Sequence, residues 1–245
     1  MKIKLLSDLH TEFEPYADTY TPADVLVLAG DIAVGRTNVR KVLRYFAERY
    51  PQIIYVMGNH EAYGGKIQDW DNIGELPDNV HFLNPGTKQI GDITFIGATL
   101  WTNFGNDPFA EDAARRGITD FYRIYDATIN KYIDMYNRDF AHIKFHYENT
   151  PGKKVIVTHF MPASACVHPR WHKGYENLLN KYFANALGNW IANLSDTTWM
   201  FGHTHDSREL QIGDTKLYCN PKGYRVENIP NFNPNYIIEI WVILQ

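Results

Sequence analysis

Three short apolar runs near the start of the chain, Ile3 to Leu6, Val25 to Ala29 and Ile53 to Met57, are nearly unbroken. A strand with one wetted face alternates apolar and polar residues, whereas a continuous run marks a strand covered on both faces. Between the second and third runs, Val39, Val42, Leu43, Phe46 and Tyr50 recur at i, i+3, i+4, i+7 and i+11. That spacing is one face of an amphipathic helix. Strand, helix, strand is the crossover unit of a parallel sheet, so the chain is constrained to an α/β fold with helices on the sheet.

The rest of the chain extends this pattern. Strands are expected at Val80 to Leu83, at Ile93 to Ala98 after the Ile90-Gly91-Asp92 turn, at Lys154 to Thr158 and at Trp199 to Phe201. Glu209 to Ile212 and Lys216 to Cys219 read as a hairpin through Gly213-Asp214, and Tyr236 to Ile243 as a last strand. Leu178 to Leu194 reads as one helix. The stretch 104–149 is rich in Tyr, Phe, Arg and Asp, with Ile129, Tyr132, Ile133, Tyr136 and Phe140 at helical spacing. It is expected to form one or two helices covering the sheet or the site, an insertion in a single domain spanning 1–245.

Composition narrows the function classes. With 24 Lys+Arg against 28 Asp+Glu, the net charge of the 245 residues is −4. Non-specific nucleic-acid binding rests on cationic contacts to phosphates, so strong binding of that kind is not expected, and any phosphate chemistry must bring its own local positive charge. Two cysteines, Cys166 and Cys219, are too few for a disulfide scaffold. Two reduced thiols are the plainer reading, with a single bridge as the alternative. The N-terminal apolar run stops at Asp8, too short for a signal peptide, and no stretch has the roughly 20 apolar residues of a membrane span. A cytoplasmic protein without membrane contact is expected.

The residues just after the apolar runs are more specific. Asp8-Leu9-His10 comes after the first, Gly30-Asp31 after the second and Gly58-Asn59-His60-Glu61 after the third; His159 ends the run near 155, and Gly202-His203-Thr204-His205 the run near 200. Parallel strands present their carboxyl ends along one edge of the sheet, where ligands bind. Residues far apart in sequence thus converge, and five of the ten histidines fall in these blocks. Glycine before Asp31, Asn59 and His203 fits a backbone that turns sharply. Asp8, His10, Asp31, Asn59, His159, His203 and His205 make seven potential ligands, too many for one tetrahedral ion and suited to two ions sharing a carboxylate. Imidazoles mixed with carboxylates favour Mn, Zn, Fe, Co or Ni over an all-oxygen ion. Two such ions hold phosphate oxygens and acidify a shared water, supplying the positive charge the composition lacks.

In this order the blocks Asp-x-His, Gly-Asp, Gly-Asn-His-Glu, a lone His and Gly-His-x-His resemble the calcineurin-like metallophosphoesterase superfamily, over residues 8–205. The resemblance implies a four-layer α/β/β/α sandwich of two mixed sheets with the metal site at the carboxyl ends of strands. It implies one metal held by Asp8, His10, Asp31 and His205, and a second by Asp31, Asn59, His159 and His203, with Asp31 bridging. His60 is implied to assist at the phosphate rather than bind metal, with Glu61 or Asp8 orienting its ring. Hydrolysis by direct in-line attack of a metal-bound hydroxide on a small phosphodiester or phosphomonoester, a nucleotide among the candidates, is the activity implied. The stretch Gly30-Asp31-Ile32-Ala33-Val34-Gly35-Arg36 departs from the protein Ser/Thr phosphatase pattern, as does Met57 before Gly58. The tail through Cys219-Asn220-Pro221-Lys222-Gly223-Tyr224 is similar to small bacterial and phage phosphoesterases. Arg170 and Trp171, shortly after His159, are candidate substrate residues, as are Asn59 and His60: Arg170 can pair with a second anion and Trp171 can stack on a base. Two other readings compete: a catalytically silent scaffold that keeps the fold, and a single-strand nuclease.

Overall fold

The computed structural model describes residues 1–227, 229 and 231–241, except the side chains of residues 175 and 176. Its strands are β1 (Lys2–Leu6), β2 (Val25–Ala29), β3 (Ile53–Val56), β4 (Val80–Phe82), β5 (Gly86–Ile90), β6 (Ile93–Ala98), β7 (Lys153–Thr158), β8 (Thr197–Phe201), β9 (Arg208–Ile212), β10 (Thr215–Cys219) and β11 (Ile237–Glu239). Helices α1 (Arg36–Ala47), α2 (Pro108–Gly117), α3 (Asp120–Arg123), α4 (Ile129–Asn149), α5 (Gly174–Phe183) and α6 (Gly188–Ile191) complete the elements used below. The strands form a five-stranded sheet, β11-β1-β2-β3-β4, and a six-stranded sheet, β5-β6-β7-β8-β10-β9. In the first, β1 to β4 are parallel and β11 is antiparallel; in the second, β5 and β9 are antiparallel edges on a parallel centre. Both sheets are mixed, and helices flank them, as the sequence led us to expect.

The unbroken apolar runs now have a cause. Alternate residues Ile3, Leu5, Val25, Val27, Ile54 and Val56 belong to one buried core with Phe95, Val155, Val157 and Met200 of the second sheet. Their neighbours Leu6, Leu26, Leu28, Ile53 and Tyr55 face outwards, into a core with Val39, Leu43 and Phe46 of α1. On the second sheet, Ile96, Ile156 and Trp199 pack outwards in the same core as Tyr132 and Ile143 of α4. Each fully buried aliphatic or aromatic side chain contributes about 1.5–3 kcal/mol of transfer free energy, so a polar residue on either face is costly. Lys4 of β1 is buried nonetheless, and its ammonium is met by Asp18 at 2.6 Å, the Thr19 carbonyl at 3.0 Å and the Tyr50 hydroxyl at 2.8 Å.

Several elements differ from the expectation. Strand β5 was not foreseen, because Gly-Thr-Lys-Gln-Ile is a half-exposed edge with little apolar signal. The helix expected over Leu178 to Leu194 is broken into α5 and α6. Between them the chain turns extended at Ala184 and bridges to Met161, and the buried Asn185 amide donates to the carbonyls of Leu100 (3.1 Å) and Trp101 (2.9 Å). Those bonds outweigh the propensity to continue the helix. The stretch 104–149 holds three helices rather than one or two. The last strand is shorter than Tyr236 to Ile243, whose final two residues lie outside the described ones. Cys166 and Cys219 are both free and buried. No helix among the described residues is long and apolar enough to cross a membrane.

Candidate metal centre

Strands β1, β2 and β3 of one sheet and β7 and β8 of the other end at a common rim. Leu6 pairs with Leu28, Ala29 with Val56, and Val157 with Met200, so the residues just beyond them come out at similar heights. Backbone bonds stitch the loops together: Asp8 N–H to the Gly30 carbonyl (3.0 Å), His10 N–H to the Asp31 carbonyl (3.0 Å) and Gly202 N–H to the His159 carbonyl (3.0 Å). Asp8, His10, Asp31 and His203 all have positive φ, at 51°, 46°, 54° and 66°. Such backbone strain costs about 1–3 kcal/mol per residue and persists where surrounding structure imposes it, commonly at functional sites. Gly30 turns at φ 86°, as anticipated. Gly58 serves differently: a Cβ there would lie 2.1 Å from Asp31 Oδ1 and 2.7 Å from His159 Nε2, so the residue is small to let those side chains in.

The structure gathers all seven expected residues. Asp8, His10 and His205 form one group, Asp31, His159 and His203 another, and His10, Asp31 and His60 a third that overlaps the first two, with the ligand-type atoms of each within 4.8 Å of one another. Asp31 lies between them: its Oδ2 is 3.9 Å from His10 Nε2 and 3.5 Å from His159 Nε2, while its Oδ1 accepts the His60 N–H at 2.9 Å. Asn59 Oδ1 is 3.1 Å from His159 Nε2. His205 Nε2 is 3.6 Å from Asp8 Oδ1 and 3.2 Å from His10 Nε2. Those last two nitrogens face each other while their Nδ1 atoms meet carboxylates, His10 with Glu12 at 3.1 Å and His205 with Glu227 at 2.5 Å. With each Nδ1–H donating outwards, two lone pairs are aimed at one point and need a positive bridge, a proton or a metal cation. Among the described residues, the buried His203 Nε2 has no hydrogen-bond partner. This donor set fits divalent metal ions.

The electrostatics point the same way. Burial alone would raise the Asp31 carboxyl, but the charges of His159, His60 and His10 hold it well below the usual range. Burial opposes protonation of His159 and His205, yet Asp31 lifts the first to about 9, and Asp8 and Glu227 lift the second to about 10. His203 is pushed well down by burial and by the neighbouring His159. The carboxylates thus draw positive charge onto selected imidazoles.

His60 differs from the expectation in its partner. Neither Glu61 nor Asp8 orients its ring. Glu61 points into the sheet, accepting the N–H groups of Asp31 (3.1 Å), Ile32 (2.9 Å) and Gly58 (2.9 Å) and the Tyr55 hydroxyl (3.1 Å). Burial and Asp31 push its carboxyl well up, against the His159 charge and the bond from Ile32 N–H. The partner of His60 is Glu12, whose Oε1 lies 3.2 Å from His60 Nδ1 and also serves His10. Burial would raise Glu12, but bonds to His10 and His60 bring it down to about 2. The other face of His60 stacks on Tyr63 at 4.2 Å.

Three more contributors came from outside the expected set. Buried Asp120, on α3, accepts Asn59 Nδ2 (2.8 Å), the Tyr63 hydroxyl (2.8 Å), the Tyr132 hydroxyl (2.7 Å) and the Tyr182 hydroxyl, which turns Asn59 Oδ1 towards His159. Glu227 and Tyr224 arrive from the C-terminal segment; Tyr224 Oη is 3.2 Å from His60 Nε2. Nothing local marks these residues, apart from Glu12 standing two places after His10. Arg170 and Trp171 lie beside the last block but are already engaged. Both bind Asp206, through guanidinium nitrogens at 2.9 and 3.1 Å and indole Nε1 at 2.9 Å, and the guanidinium sits 4.6 Å over the indole ring.

Comparison with known proteins gives the setting. The model of the calcineurin-like phosphoesterase family matches residues 1–207. An uncharacterized protein of Acanthamoeba polyphaga mimivirus is 27% identical over 282 residues, covering 97% of this chain and 96% of the viral one. Among solved structures, phosphopantetheinyl hydrolase from Mycobacterium tuberculosis superposes with a TM-score of 0.73 at 18% identity, over 94% of this chain and 93% of its own, and so shares the fold. A dimetal phosphatase from Danio rerio is more distant, with a TM-score of 0.40 at 10% identity over 89% and 86% of the two chains.

Proposed function

Because the chain belongs to the calcineurin-like phosphoesterase family, we propose that its rim of strand ends is a dinuclear metal centre that hydrolyses a small phosphoester. The observation that carries this reading is the placement of Asp31 Oδ2 between the two histidine-bearing groups, 3.9 Å from His10 Nε2 and 3.5 Å from His159 Nε2. Asp8, His10, Asp31 and His205 would hold one ion, and Asp31, Asn59, His159 and His203 the other. When bound, such ions supply Lewis acidity and lower the pKa of water enough for attack at neutral pH. Mn, Zn, Fe, Co and Ni all suit the donors.

The chain's own residues supply the remainder. Glu12 holds Nδ1 of His60, and Nε2 lies 4.0 Å from Asp31 Oδ2, where the protonated imidazole would donate a hydrogen bond to a phosphoryl or leaving-group oxygen. Asp31 and His60 are thus the residues proposed to act at the reaction, with Asn59 touching both an ion and the substrate phosphate. Asp120 positions Asn59. Arg170 and Trp171 remain proposed substrate contacts only in so far as a ligand competes with Asp206 for them.

The test is turnover of bis-p-nitrophenyl phosphate and p-nitrophenyl phosphate with added Mn²⁺ or Zn²⁺, with EDTA as control. A panel of nucleotides and one phosphopantetheinyl ester comes next, the latter because the fold neighbour is named for that group. Metal-dependent release of product is expected; a metal-loaded protein inert on every ester would overturn the reading. A narrower outcome is expected for Asp120→Ala. It leaves the Asn59 amide and three tyrosine hydroxyls without their shared acceptor, so affinity for the second ion should fall about 10–100-fold while the first is kept. Competitive titration with a chromophoric chelator reads the two affinities, and equal loss at both sites would contradict the assignment.

A further inference from the structure

The run Asn220-Pro221-Lys222-Gly223-Tyr224 supplies none of the seven proposed metal ligands, yet nearly every residue in it is fixed. The buried Asn220 amide donates to the carbonyls of Leu5 (2.8 Å) and Asn233 (2.9 Å) and accepts the Asn233 N–H (3.0 Å). Lys222 donates its N–H to the Ser7 carbonyl at 3.0 Å and its ammonium to Glu14 at 2.7 Å. Gly223, at φ 66°, donates to the Asp8 carbonyl at 3.0 Å. Tyr224 N–H donates to Glu227 Oε2 at 2.8 Å, the same oxygen that meets His205 Nδ1 at 2.5 Å. The segment is therefore a strap laid along the loop carrying Asp8 and His10, with its far end tied to His205.

The strap presents the Tyr224 side chain to the site. Its ring lies 4.5 Å from the His10 ring and 4.7 Å from the His205 ring, contacts a phenylalanine would make equally well. The hydroxyl needs a separate reason, and its neighbour supplies one: His60 Nε2 at 3.2 Å. That nitrogen is the one proposed to meet substrate. Two donors 3.2 Å apart can both reach a single oxygen at ordinary hydrogen-bond length, and a phosphoryl oxygen has lone pairs for both.

We propose that the Tyr224 hydroxyl is a catalytic residue of this site, donating with His60 to the same phosphoester oxygen, and that the strap 220–227 holds it there. The proposal rests on the phosphoesterase reading above. Without substrate, the hydroxyl and His60 satisfy each other; with substrate, both turn to the phosphate. The donor adds to transition-state binding only if the hydrogen bond strengthens as negative charge grows on that oxygen.

Tyr224→Phe keeps the ring and removes only the donor. For the metal-loaded variant, calorimetric titration with inorganic phosphate should show affinity about tenfold weaker than wild type, and kcat/KM should fall about tenfold or more. Metal content and Tm should match wild type. Combined with His60→Ala, the loss should be smaller than the product of the two single losses, because the two donors share one oxygen. Phosphate affinity and kcat/KM both within twofold of wild type would overturn the proposal, as would a variant whose only defects are lost metal and lowered Tm, since the hydroxyl would then be structural. A wild-type protein that binds metal but neither binds phosphate nor turns over any ester would remove the phosphoesterase reading and this proposal with it; an active wild type with an unaffected variant removes this proposal alone.

Discussion

Asp31→Asn is expected to reduce metal-dependent turnover by at least about 10³-fold while leaving the protein folded. The substitution is chosen because Asp31 stands at φ 54°, a conformation asparagine adopts far more readily than alanine. The side chain keeps its shape, and its carbonyl oxygen can still accept the His60 N–H that now bonds Oδ1 at 2.9 Å. The substitution removes the negative charge between the two groups, 3.5 Å from His159 Nε2 and 3.9 Å from His10 Nε2. Lewis-acid stabilisation of a phosphoryl transition state is worth several kcal/mol, and each 1.36 kcal/mol is about tenfold in rate, which sets the size of the loss. A second readout needs no substrate. Wild-type Tm should rise on adding Mn²⁺ or Zn²⁺, since a ligand that binds only the native state stabilises it, and the variant should lose most of that rise. Turnover within tenfold of wild type would contradict the bridging role.

The second large effect is expected from Gly58→Ala, the addition of one methyl group. Its Cβ would come within 2.1 Å of Asp31 Oδ1, 2.7 Å of the Asp31 backbone nitrogen and 2.7 Å of His159 Nε2. One of those atoms is backbone and the other two belong to proposed ligands, so no flexible side chain can yield. Overpacking commonly costs about 1–3 kcal/mol, and for a chain of this size that corresponds to a Tm lower by about 2–12 °C. Metal binding should fail along with stability, because relief comes only by moving Asp31 or His159. Gly117→Ala, at the end of α2 with no described atom within 4 Å of the added methyl, is the control and should keep metal binding and not lower Tm. Differential scanning fluorimetry with and without metal checks both variants.

How much of this was legible in the sequence depends on the range of the forces involved. Apolar runs reported the two-sided burial of β1, β2 and β3 because that burial acts on every residue in turn. The strand-end blocks were legible because sheet geometry, once granted, brings all parallel carboxyl ends to one edge. Side-chain partnership was not. Glu61 stands next to His60 in the sequence, but consecutive residues on the tight turn at 60–62 project in different directions. His60 reaches Glu12, and Glu61 reaches the end of β2 and Tyr55. Asp120 is 61 positions from Asn59 and joins it only because α3 docks beside the rim. Likewise Glu227 meets His205 through a strap whose anchors are mostly backbone carbonyls, which no residue pattern announces. In the fold, the missed elements were those decided by a few polar bonds: the edge strand β5 and the break at Asn185 between α5 and α6.

The number of metal ions retained per chain tests the central claim most directly. Purified protein should be loaded with Mn²⁺ or Zn²⁺, dialysed against metal-free buffer and measured by inductively coupled plasma mass spectrometry. Two ions per folded wild-type chain, with one or none on the Asp31→Asn variant, is the predicted result. Less than one ion on folded wild-type protein, or the same stoichiometry on both proteins, would contradict a centre built around that shared carboxylate.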